Sequence, residues 1–532
     1  MALSIKNYFK NSGPGWIQAA VTLGGGTLVS SLYLGVIGGY DFLWLQPLAM
    51  LCGIIMLGAL NYITLSQDEP KKNRPFILAK NHVSNTLAWG WLIGAVVANI
   101  VFCASQFALG TDAIQGNLGW DVSSPYIITF ILFLVALGLI WLFSAEGKLS
   151  EWVNNVIKVL VATVVISFMI VVVVLGMKGG IEWGAFFRGW IPDFSLLFNP
   201  SESYSSFIAD TGAYSDFWKG YIADNQRNII IGAFGTAVGI NMTFLLPYAL
   251  MKKKWNRSDR KWSQYDLIFG LFIPFVLGAS CLVLSTATQF HAKKNAVISE
   301  KAYNDVLDKR LEAEHGEYIH QNGKEYLDEL RNNAGLADKN LSIMLAKRSA
   351  TELATALEPF LGKHVQLIFG IGILAMAIST MLIHMMINGY ALSEAFGHYG
   401  SRKWFLIGAT VPALSGLFSP FIWAGSVKAA IVVPASVIAT MFLPIAYLIF
   451  ILLMNSKKAM NNQMVRRRLL WNVLMIFATG IASFASVWAL IGKINSANPY
   501  ENMLGLVGLI ALSTLLVFGL YQFWQKERKV LS

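Results

Sequence analysis

Two glycine-bearing stretches carry the residues most able to do chemistry in this chain. The first is Gly24-Gly25-Gly26-Thr27, in the middle of an apolar run. The second is Gly235-Thr236-Ala237-Val238-Gly239-Ile240-Asn241-Met242, with Pro247 shortly after it. Each glycine inside a helix costs about 1 kcal/mol relative to Ala. Close helix packing explains one glycine or a small-xxx-small pair, but three in a row poorly. In a bilayer, non-helical backbone is tolerated only where protein buries it or it lines a wet cavity. A break exposes N–H groups at the start of one half-helix, where the dipole is positive and receives an anionic group. It also exposes carbonyls at the end of the other half-helix, which suit a cation such as Na⁺. Substrate contact is therefore expected at Gly24, Gly25, Gly26, Thr27, Gly239 and Asn241. Asn99, Ser105, Gln106 and Ser436 either line the pathway or tie neighbouring helices together.

The elements that must position these residues are membrane helices. The 532-residue chain is 55% hydrophobic and 13% charged, against about 25% charged in soluble domains. Apolar runs near the ~20 residues that span a bilayer fall at 15–38, 42–66, 87–112, 124–145, 151–176, 227–250, 265–290, 364–391, 404–423, 427–454, 467–492 and 502–524. That makes about twelve spans. Lys and Arg exceed Asp and Glu by 11, and the excess gathers beside the spans, at Lys252-Lys253-Lys254 and Arg466-Arg467-Arg468 among others. Such clusters read as cytoplasmic topology anchors, not as a nucleic-acid surface. With the amino terminus inside, the carboxyl terminus falls inside too, and the Thr111 to Pro125 link, which lacks Lys and Arg, falls outside.

Two outside connections are long. Residues 177–226 mix Trp183, Phe186, Phe187, Trp190 and Phe194 with Gly and Pro, the composition of an interfacial belt. Residues 291–363 are hydrophilic, with Val306, Leu307 and Leu311 at helical spacing, and predict a small helical cap. Cys52, Cys103 and Cys281 lie in apolar runs and imply no disulfide framework. No cleavable signal peptide is expected, since the first apolar run is too long for one. His384, among Leu382, Ile383, Met385 and Met386, reads as a hydrogen-bonded core histidine. Lys158 reads as a snorkelling side chain or as a fixed cation in place of a coupling ion.

Glycine-interrupted spans at corresponding places in two halves point to an inverted-repeat transporter site, and here they are the first and sixth spans. At this point the residues resemble a known family, the natural resistance-associated macrophage protein (Nramp) type divalent-metal transporters. Gly13-Pro14-Gly15 is similar to that family's opening of its first span, and its Asp-Pro-Gly-Asn break lands on Gly24-Gly25-Gly26-Thr27. Gly147 to Glu151, Gly389-Tyr390 through Phe396, Val411 to Leu414, Leu443-Pro444 and Asn455 to Met460 resemble later stretches, in order. The resemblance implies an all-α polytopic membrane protein of the LeuT type: two inverted five-helix repeats and two further helices. On that plan 1–176 is the first repeat, 177–226 an external connection, 227–454 the second repeat with 291–363 inserted, and 455–532 the last two spans with the tail.

The resemblance implies secondary transport of a divalent metal. The family's Asp, Met and His ligand positions hold Gly24, Gly239 and Asn241 here, and no metal ligand is assigned among them. A transition ion takes carboxylate, imidazole or sulfur donors, and an uncompensated 2+ charge at mid-membrane is costly. A small amino or carboxylic acid seated at the helix breaks is the alternative cargo, and a non-transporting receptor or scaffold is a third reading. No Walker loop, His-Glu-x-x-His or Cys/His cluster suggests an enzyme, and no cofactor is implied. The residues leave the coupling ion, Na⁺ or H⁺, open. The expected setting is a bacterial inner membrane, with the bilayer and a small solute or ion as partners.

Overall fold

The first apolar run is broken where the three glycines stand. Helix α1 (Pro14–Thr22) ends there, Gly24 is extended, and α2 (Gly25–Gly38) sets off in a new direction, the two halves bent by 54°. The computed structural model describes residues 12–120, 124–145, 147–237, 239–294, 300–422, 439–495 and 499–531.

Pro14 sits in the first turn of α1, where its missing N–H costs nothing. The N–H groups of Gly13 and Gly15 are taken by the Asp266 carboxylate, at 3.3 and 2.6 Å. A negative group at a helix start is favoured by the dipole. Gly15 must be glycine for this contact, because a Cβ would stand 2.0 Å from the Asp266 carbonyl oxygen. Lys158 Nζ donates to the Ser12 carbonyl at 3.0 Å, completing the clamp on the start of α1.

The remaining spans follow the apolar runs: α3 (Leu45–Thr64), α4 (Asn85–Asp112), α5 (Pro125–Ser144) and α6 (Lys148–Met177). Ser84 caps α4 by accepting from Leu87 N–H, and Pro125 starts α5. The sixth span is again two helices, α7 (Ser215–Ala237) and α8 (Met242–Lys252), with Gly239 and Ile240 in the turn between them. Helix α7 begins well before the apolar run at 227, because Trp218 and Ile222 are buried against Tyr204, Ile208, Val306 and Leu341. Then come α9 (Ile273–Phe290) and the hydrophilic insertion, built of α10 (Glu300–Asn333), α11 (Leu336–Leu345) and α12 (Ala350–Leu361). Val306, Leu307 and Leu311 are buried within it, and α11 packs on α2 while α12 packs on α9. The chain closes with α13 (His364–Ala395), α14 (Arg402–Leu417), α15 (Leu443–Asn455), α16 (Arg468–Ile494) and α17 (Pro499–Leu531). Ten helices of the described residues are long and apolar enough to cross a membrane, and the bent pair α1–α2 adds an eleventh span. The tenth apolar run is described only from Ala439.

Helix α6 shows why lipid, not water, surrounds this bundle. Val153, Ile157, Val161, Val164, Phe168, Val171 and Leu175 are buried at helical spacing, yet Trp152, Val159, Ile166 and Val173 on other faces are exposed and just as apolar. A helix apolar all round with an exposed face is a membrane span. The chain is an integral membrane protein. Long α13 packs against α1, α4, α6 and α14, and α2 packs against α7 and α9, so the two breaks meet beside α4 and α13.

Asp266→Ala strips the acceptor from the buried N–H groups of Gly13 and Gly15, at about 1–3 kcal/mol for each unsatisfied group. Thermal denaturation in detergent should show a lower midpoint than wild type; an unchanged midpoint would disprove the clamp.

Candidate functional site

Where the breaks meet, the first span contributes Val21, Gly24, Gly26 and Thr27 to a cavity wall, and the sixth contributes Gly235, Thr236, Gly239, Asn241 and Met242. Phe102 and Gln106 of α4 and Thr380 and His384 of α13 close the sides. About 20 Å³ is open to the centre of a water-sized species, room for one or two waters or a single ion.

Hydrogen bonds hold the two breaks in register. Gln18 Nε2 of α1 donates to the Met242 carbonyl at the start of α8, at 3.0 Å. Ser30 of α2 and Thr236 of α7 share a hydroxyl hydrogen bond of 3.1 Å. The helix before one break is thus tied to the helix after the other, as an inverted repeat requires. Thr380 Oγ1 donates to the Ala20 carbonyl at 2.9 Å, and Thr27 Oγ1 donates to the Thr22 carbonyl. Polar residues inside apolar runs were the available sequence signal for Gln18, Ser30, Thr236 and Thr380. Helical spacing alone does not tell such a residue from one that bonds its own helix.

Gly25 departs from its expected role. Its N–H donates to Gln106 Oε1 at 2.9 Å, so the positive start of α2 is capped by the protein's own amide, and Gly25 does not line the cavity. Gln106 is oriented in turn by Ser105 Oγ, 3.0 Å from its Nε2, and by the Phe102 carbonyl at 3.3 Å. Ser105 therefore stands behind the wall. Packing also accounts for more of the glycine run than its sequence suggests. A Cβ on Gly24 would meet Thr380 Oγ1 at 2.6 Å, and one on Gly25 would meet Gln106 Oε1 at 2.7 Å.

Asn99 lies behind Asn241 and accepts its Nδ2–H at 3.1 Å. The same Asn99 oxygen is 2.8 Å from His384 Nδ1, and Asn99 Nδ2 donates to Asn388 Oδ1 at 2.9 Å. This buried network joins α4, α8 and α13. His384 is hydrogen-bonded, as its surroundings predict, and it also lines the cavity. Ser436 lies outside the described residues.

The wall is polar but carries no carboxylate, and the described residues contain no group of three or more His, Cys, Asp or Glu able to hold a metal. Negative potential comes instead from the end of α1. With Gly25 N–H turned to Gln106, the Val21 carbonyl accepts no hydrogen bond among the described residues, and Val21 lines the cavity. The end of a helix carries about half an elementary negative charge.

Gln106→Leu leaves the buried Gly25 N–H without an acceptor, at about 1–3 kcal/mol. The Leu variant should melt below wild type, with Gln106→Glu, which keeps an acceptor, melting above the Leu variant. Equal melting of Gln106→Leu and wild type would refute the cap.

Comparison with known proteins gives the same architecture. The chain is similar to the solved structure of a manganese transporter from Eremococcus coleocola in complex with an aromatic bis-isothiourea substituted compound. The TM-score is 0.70 at 13% identity, over 99% of this chain and 97% of that one. Two single-substitution variants of that transporter each align with a TM-score of 0.67 and 13% identity, over 98% of this chain and 96% of theirs. At this identity the likeness establishes the fold, an all-α LeuT-type bundle. A comparison with curated proteins returns no match. Residues 15–314 and 337–492 match the family model described as natural resistance-associated macrophage protein-like. The chain belongs to the Nramp family.

Proposed function

We propose that this protein is a secondary transporter that carries one small metal cation by alternating access, through the cavity between the two helix breaks. The observation that carries the reading is the cavity itself: it lies where both broken spans meet and has room for a single ion. Family membership supports metal as cargo, and the Eremococcus coleocola protein of the same fold is a manganese transporter. Without a carboxylate, a 2+ charge is offset by the end of α1, by neutral donors such as Thr27 and Asn241, and by retained water. A coupling ion, Na⁺ or H⁺, would draw on carbonyls like that of Val21. The Lys and Arg clusters beside the spans support a topology with both termini in the cytoplasm and the 291–363 insertion outside.

The acid-free wall favours a second reading, a small zwitterionic or uncharged organic solute. One feature weighs against it: the Gly25 N–H, one of the donors that would seat a carboxylate, is bonded to Gln106.

Proteoliposomes loaded with a metal-sensitive dye should take up Mn²⁺ or Cd²⁺ saturably. Gly24→Val, whose side chain would press on Thr380 at the cavity wall, should slow that flux at least about tenfold, the effect of about 1.4 kcal/mol. Absence of metal flux, with amino-acid uptake that the same variant abolishes, would overturn the metal reading in favour of the organic one. No flux of either kind would leave a receptor or scaffold.

A further inference from the structure

The imidazole of His384 stands at the cavity from a helix that the site's two breaks do not include. In a neutral imidazole one nitrogen donates and the other accepts. Here Nδ1 faces Asn99 Oδ1 at 2.8 Å. That oxygen is an acceptor, because Asn241 Nδ2 donates to it at 3.1 Å while the Asn99 amide nitrogen is spent on Asn388 Oδ1 at 2.9 Å. With the Asn99 amide oriented in this way, the ring proton lies on Nδ1 and the lone pair on Nε2. Nε2 makes no hydrogen bond among the described residues, although the side chain is only 2% exposed. Phe102 stacks flat on the ring, with centroids 5.5 Å apart and planes within 4°, which fixes its rotation.

His384 lines the cavity and its Nε2 has no partner among the described residues, so that lone pair is available to a ligand there. Its surroundings match the way metal-binding histidines are built, with the far ring N–H held by an amide or carboxyl oxygen that sets the tautomer. Asn241 adds to the set. Its nitrogen is used on Asn99, which leaves Oδ1 for the cavity. Position 241 is where the resembled family's sixth helix carries its own imidazole; here an amide occupies it, and the His384 ring stands 3.4 Å from that amide.

We infer that His384 Nε2 is the nitrogen ligand of the transported ion, with Asn99 as its positioning residue. Cd²⁺ is a suitable probe because an imidazole nitrogen suits borderline and soft ions, whereas Mg²⁺ prefers carboxylate and water. The inference rests on the metal-transport reading and deepens it.

Calorimetry on the purified full-length chain in detergent tests it, with Cd²⁺ and Mg²⁺ as probes. Wild type should bind Cd²⁺ the more tightly. His384→Gln should weaken Cd²⁺ binding about 10–100-fold, and Asn99→Leu should also weaken it, as the loss of a metal ligand's outer partner does. His384→Cys should retain Cd²⁺ and add a sulfur-to-cadmium charge-transfer absorption above the background of the buried Cys52, Cys103 and Cys281. Undiminished Cd²⁺ binding by His384→Gln, alongside its loss in Gly24→Val, would overturn the inference and leave the transport reading intact. If the Gln variant does not fold, absence of the new absorption in His384→Cys overturns it instead. A wild-type chain that binds neither ion and moves neither into vesicles would overturn both readings.

Discussion

A helix opened in the middle of a bilayer must satisfy every backbone group it exposes, and the rest of this structure depends on how the first span does so. The N–H of Gly25 is given to Gln106, the carbonyls of Ala20 and Thr22 are given to Thr380 and Thr27, and the Val21 carbonyl is left over. Each of these partners comes from the break itself or from α4 and α13, so those two helices must run past it at close range. Glycine is what permits the approach. At Gly24 and Gly25 a side chain would stand within 3 Å of the groups that do the capping.

The polarity of the site follows from that arrangement. Capping Gly25 N–H with an amide oxygen occupies one of the donors at the positive start of α2, while the Val21 carbonyl at the negative end of α1 accepts no hydrogen bond among the described residues. The wall around them holds no acid.

Two ties make the breaks a single device. Gln18 with the Met242 carbonyl joins α1 to α8, and Ser30 with Thr236 joins α2 to α7. The start of α1 is clamped separately by Asp266. A rearrangement that moved α1 would have to release both Gln18 and Asp266, so the two ends of one short helix are secured by different elements.

Much of the architecture was legible in the chain. Twelve apolar runs, their flanking Lys and Arg, and two glycine-interrupted spans are local signals, because a bilayer imposes length and polarity on each segment by itself. The same holds for the breaks: backbone rules act residue by residue, so Gly24 to Thr27 announced a departure from helix without any partner in view. What each polar side chain does was not legible. Gln106, Asn99 and Ser105 carry similar chemistry on one helix, yet one caps a backbone N–H, one orients an imidazole and one steadies its neighbour. His384 looked like a core histidine because its partner Asn99 is 285 residues away. Local physics set the spans and their interruptions; only the meeting of α1, α4, α8 and α13 decided which donors face the cavity, because hydrogen-bond direction is a property of pairs that the linear order does not bring together.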